Sequence, residues 1–334
     1  MTSAMTKTLV IHIGGHKTGS TTIQEVFAAQ GVRLDGRPVH YPARLDHNYL
    51  RADIEHHIDG TPLPKRGPRQ LSFAQLAQSI QDSDAPFTLL SAEYLETVDA
   101  FVMKDIVDRY FAPHVDAVKV VAYVRPHVSR LVSGYGEALK IGWFQGELAG
   151  FFQQCVEDKT LHFAPRFSQW RDAFGADFVL RPMMPEQLKS GSVLADFIVT
   201  AFGDVTVTGM PDQISNPALD LRDQVFLTLM QAKFQRRKPW FRHTFGWELA
   251  RQLQAVERSA DETLKPQHLY QSLAVEIAQT YRADAQAMDA AFFEGAPLFQ
   301  DALQVAQDAA PQDPLTLKPK DMFDPDMLRN IKAL

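Results

Sequence analysis

The amino-acid sequence predicts an α/β fold in three layers, with a central, mainly parallel β-sheet and a largely helical C-terminal part. Four short apolar runs have the length and the β-branched composition of buried strands, and they lie near residues 8–13, 87–91, 119–124 and 177–181. Helical periodicity separates the later runs and predominates from Ala218 onward. Because strands that alternate with helices favour a parallel sheet, we expect ligands to bind beyond the C-terminal ends of these strands.

The composition indicates an ordinary globular protein. The chain has 334 residues, of which 45% are hydrophobic and 22% are charged, so it can bury a large core. We predict one domain over residues 1–334, with an α/β core at 7–205 and a mainly helical part at 206–334. Prolines spaced through 311–325 predict an irregular tail before the end. The net charge of −6 argues against general nucleic-acid binding.

Neither a membrane span nor a secretory leader is predicted. No stretch has the run of about eighteen uncharged apolar residues that a membrane helix needs, and the first apolar run belongs to a strand. Cys155 is the one cysteine, which excludes an internal disulfide and fits a reducing compartment. We therefore predict a cytoplasmic protein without stable membrane insertion, and we expect Cys155 to be a buried thiol.

The first apolar run leads into a glycine-containing loop. The run at 9–13 precedes Gly14-Gly15-His16-Lys17-Thr18-Gly19-Ser20-Thr21-Thr22, and a helical pattern with Ile23, Val26 and Phe27 on one face follows. A strand, a glycine turn and a helix N-terminus in this order direct backbone N–H groups and the positive end of the helix dipole at one point. The segment is therefore predicted to bind a phosphate.

The position of the lysine in this loop is unusual for a nucleotide triphosphatase. The segment fits the spacing G-x4-G-S-T, but Ser20 stands where such an enzyme carries its phosphate-binding lysine. The lysine lies inside the loop, as Lys17. We expect its ammonium group to reach a bond other than the β–γ linkage of ATP. A plain glycine turn, or a degenerate dinucleotide-binding loop, is the alternative interpretation.

The loop from His16 to Gln24 resembles the 5′-phosphosulfate-binding loop of sulfotransferases that use 3′-phosphoadenosine-5′-phosphosulfate (PAPS). The resemblance implies a P-loop NTPase-like fold, PAPS as the sulfate donor and adenosine 3′,5′-bisphosphate (PAP) as the product, without a required metal. It also implies that Lys17 contacts the oxygen that bridges phosphate and sulfate. The cofactor-binding residues that it implies in the loop are His16, Lys17, Thr18, Gly19, Ser20, Thr21 and Thr22.

A second segment resembles the 3′-phosphate site of the same family. Arg125 directly follows the predicted strand 119–124, and Ser133 lies eight residues later in a helical pattern. A guanidinium fork and a hydroxyl two helical turns away can converge on one phosphate. The family's proline is displaced here to Pro126, which puts the local turn geometry in question. The alternative is an arginine at a helix start and an ordinary surface serine.

Weaker similarity continues through most of residues 7–290. An arginine-proline pair (Arg181-Pro182) after a strand and an Asp196-Phe197 pair in the next helix, which we expect to end near Gly203, resemble prokaryotic carbohydrate-type sulfotransferases. Residues 214–217 and 281–284 resemble later segments of those proteins more loosely.

The transfer requires a base that accepts the proton of the acceptor. Glu93 follows the strand 87–91, where several glycan sulfotransferases carry a catalytic glutamate, so the resemblance implies that Glu93 is the base. His16 is the second candidate, as a base or as a residue that positions the sulfate. A glutamate near a strand end can also cap a helix or pair with an arginine. We expect His12, within the first strand, to be a hydrogen-bonded core residue.

The predicted activity is in-line transfer of a sulfuryl group from PAPS to a hydroxyl or amine acceptor, such as a carbohydrate or another small hydroxylated molecule. The alternatives are a P-loop kinase or triphosphatase and a nucleotide-binding protein without catalysis. Two segments are candidates for acceptor contacts. Residues 60–70 are predicted to form a loop, which is either a lid over the acceptor or a plain connector. Residues 233–243 are a basic-aromatic stretch that could bind an acidic glycan acceptor or the 3′-phosphate of the donor. The alternative for 233–243 is a solvated helix end. The oligomeric state is left open.

Overall fold

The computed structural model describes residues 6–67, 70–210, 219–256, 268–312 and 319–333. By its internal contacts the chain divides into two compact units. The described part of the first unit comprises residues up to Pro126 together with 163–210, and that of the second comprises 127–162 together with the residues from 219 onward. Residues 127–162 thus group with the helical C-terminal part, whereas the sequence placed them in the α/β core. Folding as a single domain stays a prediction.

The first unit contains a seven-stranded sheet in the order β6-β5-β1-β4-β3-β2-β7. The strands are β1 (Thr8–Gly14), β2 (Arg33–Leu34), β3 (Arg37–His40), β4 (Phe87–Ser91), β5 (Ala117–Val124), β6 (Phe178–Pro182) and β7 (Val207–Thr208). The five strands from β6 to β3 are parallel, and β2 pairs antiparallel with both of its neighbours. The α/β class with a mainly parallel sheet is therefore confirmed, as are the four predicted strands.

The short strands β2, β3 and β7 were not predicted. β2 and β7 have two residues each, which is too short for a periodic pattern. Asp35 and Gly36 connect β2 to β3 with φ angles of 50° and 75°. An Asp-Gly pair is a strong hairpin signal, because both central residues of the tightest turns need positive φ. That dipeptide was the available clue to the hairpin.

Helices cover both faces of the sheet in the first unit. The helices are α1 (Ser20–Ala28), α2 (Leu50–Asp59), α3 (Phe73–Asp82), α4 (Ala100–Ile106), α7 (Phe163–Phe174) and α8 (Val193–Phe202). Val10, Leu89 and Val121 from the central strands form one core cluster with side chains of α1 and α8. Leu9 and Ile11 point to the opposite face and are also fully buried, so neither face of β1 meets solvent. Residues 60–67 form no helix or strand, as predicted.

The second unit is helical. Its helices are α5 (His127–Lys140), α6 (Leu148–Glu157), α9 (Leu221–Lys233), α10 (Pro239–Gln254), α11 (Gln271–Phe292), α12 (Leu298–Ala309), α13 (Pro319–Met322) and α14 (Pro325–Ala333). The predicted helical character after Ala218 is thus confirmed. The prediction of an irregular tail over 311–325 is corrected at Pro319 and Pro325. Both are first residues of helices, where proline lacks only an N–H that would have no partner.

Arg181 and Asp196, which the family resemblance singled out as two separate motifs, form an ion pair in which the carboxylate is buried and the guanidinium is partly exposed. The guanidinium of Arg181 contacts both carboxylate oxygens of Asp196, at 2.7 and 3.0 Å. The Tyr123 hydroxyl and the Lys189 amide donate to the same carboxylate, at 2.8 and 3.0 Å. Burial alone would raise the pKa of Asp196, but the hydrogen bonds from Arg181, Tyr123 and Lys189 outweigh it and lower that pKa. The network joins β5, β6 and α8.

We expect Asp196→Asn to lower the free energy of unfolding by about 2 kcal/mol near neutral pH, because it removes the charge that three donors share. Since the folded-state pKa of Asp196 is depressed, its contribution is present above the unfolded-state pKa and is lost as the pH falls through the folded-state pKa. Urea unfolding at about pH 7 and about pH 3 measures both effects. Glu186→Gln, at an exposed residue of the neighbouring turn, is the matched control and should change the free energy by less than about 0.5 kcal/mol.

Candidate functional site

The predicted phosphate loop lies at the C-terminal edge of the sheet. β1 ends at Gly14 and α1 begins at Ser20, so residues 15–19 connect the central strand to a helix N-terminus. β1 pairs in parallel with β4 on one side and with β5 on the other. The segments that follow these strands begin with Ala92 and Arg125. The predicted residues His16 to Thr22, Glu93 and Arg125 therefore emerge from three adjacent strands at one edge.

Two glycines let the loop contact both neighbouring segments closely. Gly14 has a φ of 68°, and a Cβ atom at this position would lie 2.6 Å from the Cα atom of Glu93. A Cβ atom on Gly15 would lie 2.1 Å from the carbonyl oxygen of Tyr123, two residues before Arg125. Both distances are too short for a side chain. The glycines thus place the loop directly against the segments that carry Glu93 and Arg125.

The N-terminus of α1 has the features of an anion site. Gly19 is the N-cap residue, with a φ of 84°, and has no side chain to cap the first N–H groups of the helix. The first turn has no acidic residue. Ser20 is 1% exposed, and its hydroxyl has no hydrogen-bond partner among the residues that the structure describes. A buried hydroxyl without a partner beside a helix N-terminus fits the oxygen of a phosphate.

Lys17 has a left-handed backbone conformation, with a φ of 67°. This conformation costs a non-glycine residue about 1–2 kcal/mol, and here the chain carries lysine rather than glycine. Thr18 closes the turn, because its amide and hydroxyl both donate to the Gly15 carbonyl, at 3.2 and 2.5 Å. The role of the Lys17 side chain stays a prediction.

Glu93 is the first residue of a 3₁₀ helix that runs to Thr97 and is partly exposed. A carboxylate at this position can also stabilise the N-terminus of that helix through the helix dipole, which is the structural alternative to a catalytic role. The close approach of Glu93 to Gly14 places this base candidate next to the loop.

Glu96, which was not among the predicted site residues, anchors the loop through His16. Its side chain is 5% exposed, and one oxygen accepts a hydrogen bond from the His16 amide at 3.0 Å and lies 3.3 Å from Nδ1 of the ring. The other oxygen forms an ion pair with Arg166. The imidazole also stacks on Tyr94, with ring centroids 5.7 Å apart. The available clue was the spacing of Glu93 and Glu96, because residues three apart share a face in a 3₁₀ helix.

A buried polar cluster lies along β1 and β4. His12 is fully buried, as predicted for a core residue, and its Nδ1 atom lies 2.8 Å from the Ser91 hydroxyl. Gln24 donates to that hydroxyl at 3.2 Å, and the Ser91 amide donates to Nδ1 of His47 at 3.1 Å. Burial lowers the pKa of His12 and of His47 to about 3 each. Both imidazoles are therefore neutral at physiological pH, and His12 has no role as a surface base.

This cluster predicts a pH-dependent stability. Between pH 6.5 and about pH 3 the unfolded chain protonates His12 and His47 while the folded chain does not, so stability falls as the pH is lowered. Between about pH 7.5 and about pH 5 the two residues together should lower the free energy of unfolding by roughly 4 kcal/mol, because one pKa unit is worth about 1.4 kcal/mol per group. Denaturant unfolding at both pH values should show a smaller difference for His12→Asn/His47→Asn than for the wild type. His243→Asn, at an exposed position, should leave the difference unchanged.

The structure places Arg125 and Ser133 in different compact units. Arg125 follows β5 in the first unit and is partly buried, and Ser133 lies on α5 in the second unit. α5 begins at His127, so Pro126 immediately precedes the helix instead of lying within it. The convergence of Arg125 and Ser133 on one phosphate stays a prediction.

Several other residues have structural roles. In the second unit, His127 is buried, lies 2.8 Å from the carboxylate of Asp284 and stacks on Tyr281. Cys155 is buried, and burial raises its pKa, as expected for an inert thiol. Residues 214–217, which the resemblance had noted, lie outside the described residues.

The described residues contain no group of three or more histidine, cysteine, aspartate or glutamate side chains that could hold a metal ion. None of the helices over 6–333 that the structure describes is long and apolar enough to cross a membrane. The cytoplasmic location stays a prediction.

Comparison with known proteins gives a structural similarity. No protein-family model matches the chain, and no curated protein matches its sequence. The structure is similar to the crystal structure of a sulfotransferase from Alicyclobacillus acidocaldarius. The two chains are 12% identical, the alignment covers 90% of this chain and 100% of the other, and the TM-score is 0.42. At this level of similarity, function has to be argued from the side chains of this chain.

Proposed function

We propose that this protein is a PAPS-dependent sulfotransferase, which moves the sulfuryl group of PAPS to a hydroxyl or amine of an acceptor. The observation that carries the proposal is the loop at the centre of the sheet edge. There the buried Ser20 hydroxyl lies at a helix N-terminus, and the lysine lies within the loop, at the strained position of Lys17. This arrangement supports a phosphate cradle with a cation directed at a bridging oxygen.

The loop amides and hydroxyls from His16 to Thr22 would hold the 5′-phosphate of the donor. Arg125 and Ser133 would hold its 3′-phosphate, because a guanidinium binds phosphate through two parallel hydrogen bonds. PAPS supplies an activated sulfuryl group on a phosphate leaving group. The chain then has two chemical tasks, which are to remove a proton from the acceptor and to neutralise charge on the departing phosphate. No step requires a metal.

Glu93 is assigned the first task and Lys17 the second. Glu93 lies against Gly14 at the start of the loop, so its carboxylate belongs to the same edge as Lys17. His16 is the alternative base, and its contact with Glu96 resembles the pairing in which a carboxylate orients a catalytic imidazole. The acceptor class is a carbohydrate or another small hydroxylated molecule.

The alternatives have specific features against them. A P-loop kinase or triphosphatase needs a lysine at position 20 and an aspartate for magnesium at the end of the strand that corresponds to β5, but the chain has Ser20 and Arg125 at these places. A nucleotide-binding protein without catalysis needs neither a lysine within the loop nor a candidate base at the same sheet edge, and this chain has Lys17 and Glu93 at these places.

A transfer assay tests the proposal. The protein is incubated with PAPS labelled with radioactive sulfur and with a panel of sugars, polysaccharides and simple alcohols, and products are identified by mass. We expect labelled sulfate on at least one acceptor and release of PAP. Tight PAP binding without transfer to any acceptor would favour the non-catalytic alternative, and retention of ATP in preference to PAP would favour the kinase.

A further inference from the structure

We infer that the second unit binds an acidic polysaccharide on the N-terminal half of α10 and the turn before it. The surface consists of Arg236, Arg237, Lys238, Trp240, His243 and Trp247, and is named here the basic aromatic face. The inference is independent of the proposed function, because it concerns binding and not transfer.

The tryptophans of this face are exposed, and one face of the Trp247 ring also packs against the Lys140 ammonium group, whose Nζ atom lies 3.3 Å from the ring centroid. Trp240 is 66% exposed and Trp247 is 37% exposed, whereas Trp170 in the first unit is 1% exposed. Trp240 and Trp247 are seven residues apart on α10, so they lie on one side of the helix, about 10 Å apart along its axis. His243 lies between them, with its ring centroid 6.4 Å from that of Trp247. The three rings form a stripe on which successive sugar units can stack.

The opposite side of α10 fixes this stripe in place. Phe234 and Phe245 have ring centroids 4.7 Å apart, so the aromatic anchor of the segment is formed by phenylalanines and not by Trp240. The Gln231 side chain donates to the carbonyl groups of Lys140 and Arg242, at 2.7 and 2.9 Å. The helix is thus held by its inner side, and the outward rings are pre-positioned for a ligand.

The stretch 233–243, which contains most of the basic aromatic face, is positively charged, whereas the whole protein is negatively charged. Residues 233–243 contain five lysines and arginines and no acidic residue, in a chain of net charge −6. Arg236, Arg237 and Lys238 are exposed in the turn before α10. Arginine binds carboxylate and sulfate groups through paired hydrogen bonds, so a local cationic patch on an acidic protein favours a polyanionic partner.

The composition of the exposed side favours a saccharide over an anionic membrane. The exposed positions of α10 are Pro239, Trp240, His243, Thr244, Trp247, Glu248, Arg251 and Gln252. An interfacial membrane helix needs a continuous apolar face, and the exposed positions of α10 include no leucine, isoleucine, valine, methionine or phenylalanine. Flat rings beside hydroxyl, amide and charged groups are instead suited to sugars, which have apolar faces and polar edges.

The test is a set of dissociation constants for the full chain with heparin, polygalacturonate and neutral dextran, and with phosphatidylglycerol vesicles. We expect the two acidic polysaccharides to bind and dextran to bind at least about tenfold more weakly. Arg236→Gln/Arg237→Gln/Lys238→Gln and Trp240→Ala/Trp247→Ala should each weaken acidic polysaccharide binding by about tenfold or more, because exposed arginine and tryptophan dominate such contacts. Arg33→Gln/Arg37→Gln, at exposed arginines of the first unit, should change it less than about twofold.

Each other result would overturn the inference. Unchanged binding in the tryptophan variant would mean that charge alone attracts the polymer. Equal losses in the Arg33/Arg37 variant would mean that the attraction has no defined site. Binding to vesicles without binding to either polysaccharide would identify the face as a membrane contact, and association of the chain with itself that the tryptophan variant abolishes would identify it as a self-contact.

Discussion

Replacing Lys17 by alanine should lower the rate of sulfuryl transfer by about 10²–10³-fold. The proposed role of the ammonium group is to stabilise charge that develops only in the transition state, and removal of one such donor costs about 3–4 kcal/mol. The loss should therefore fall mainly on kcat. Steady-state assays with PAPS and an accepted acceptor measure it.

Lys17→Gly separates this chemical effect from damage to the fold. Glycine adopts the φ of 67° without strain, so this variant should be at least as stable as the wild type in urea unfolding and still lose activity to the same extent. Lys17→Arg keeps the charge at a different reach and should retain part of the activity. Near-normal turnover in Lys17→Ala or in Lys17→Gly would contradict the role of Lys17.

Replacing Glu93 by alanine should lower kcat by about 10²–10⁴-fold, because general base catalysis contributes an effect of this size. Added formate should restore part of the activity, since a small carboxylate can occupy the space that the side chain leaves. The measurement is the rate of transfer with and without formate. Asp99→Ala changes an exposed acidic residue six positions after Glu93, and added formate should not raise the activity of this variant.

The same experiment with His16→Ala decides between the two base candidates. If Glu93 is the base, imidazole should not restore His16→Ala, whose defect should lie in PAP affinity because His16 belongs to the loop. A larger loss in His16→Ala than in Glu93→Ala, with rescue by imidazole, would reverse the assignment. Glu96 would then be the residue that orients the imidazole.

The parts of the fold that the sequence predicted are those with strong local signals. β1, β4, β5 and β6 are each at least five residues long and enter a buried sheet, so their apolar composition is unambiguous. β2 and β7 depend on pairing with distant strands, and two residues cannot carry a periodic pattern. Pro319 and Pro325 were interpreted as breaks because proline disrupts a helix interior, but both begin helices.

The site shows the same division. The loop could be predicted because a glycine pattern between strand and helix is contiguous in sequence. The ion pair of Glu96 with Arg166 could not be predicted, since 70 residues separate the two and only the fold brings their side chains together. The Arg181–Asp196 pair was visible as two motifs, but its bond to Tyr123 depends on the pairing of β5 with β6.

Titration calorimetry with adenosine 3′,5′-bisphosphate tests most directly whether the loop is one end of a site for a doubly phosphorylated nucleoside. We expect one molecule to bind per chain, with affinity reduced by about tenfold or more in Ser20→Ala and in Arg125→Ala, because each removes a phosphate contact. Adenosine 5′-monophosphate lacks the 3′-phosphate, so it should bind more weakly than the bisphosphate. Its affinity for Arg125→Ala should equal its affinity for the wild type. Absence of binding, or equal affinity for the two nucleotides, would contradict the assignment.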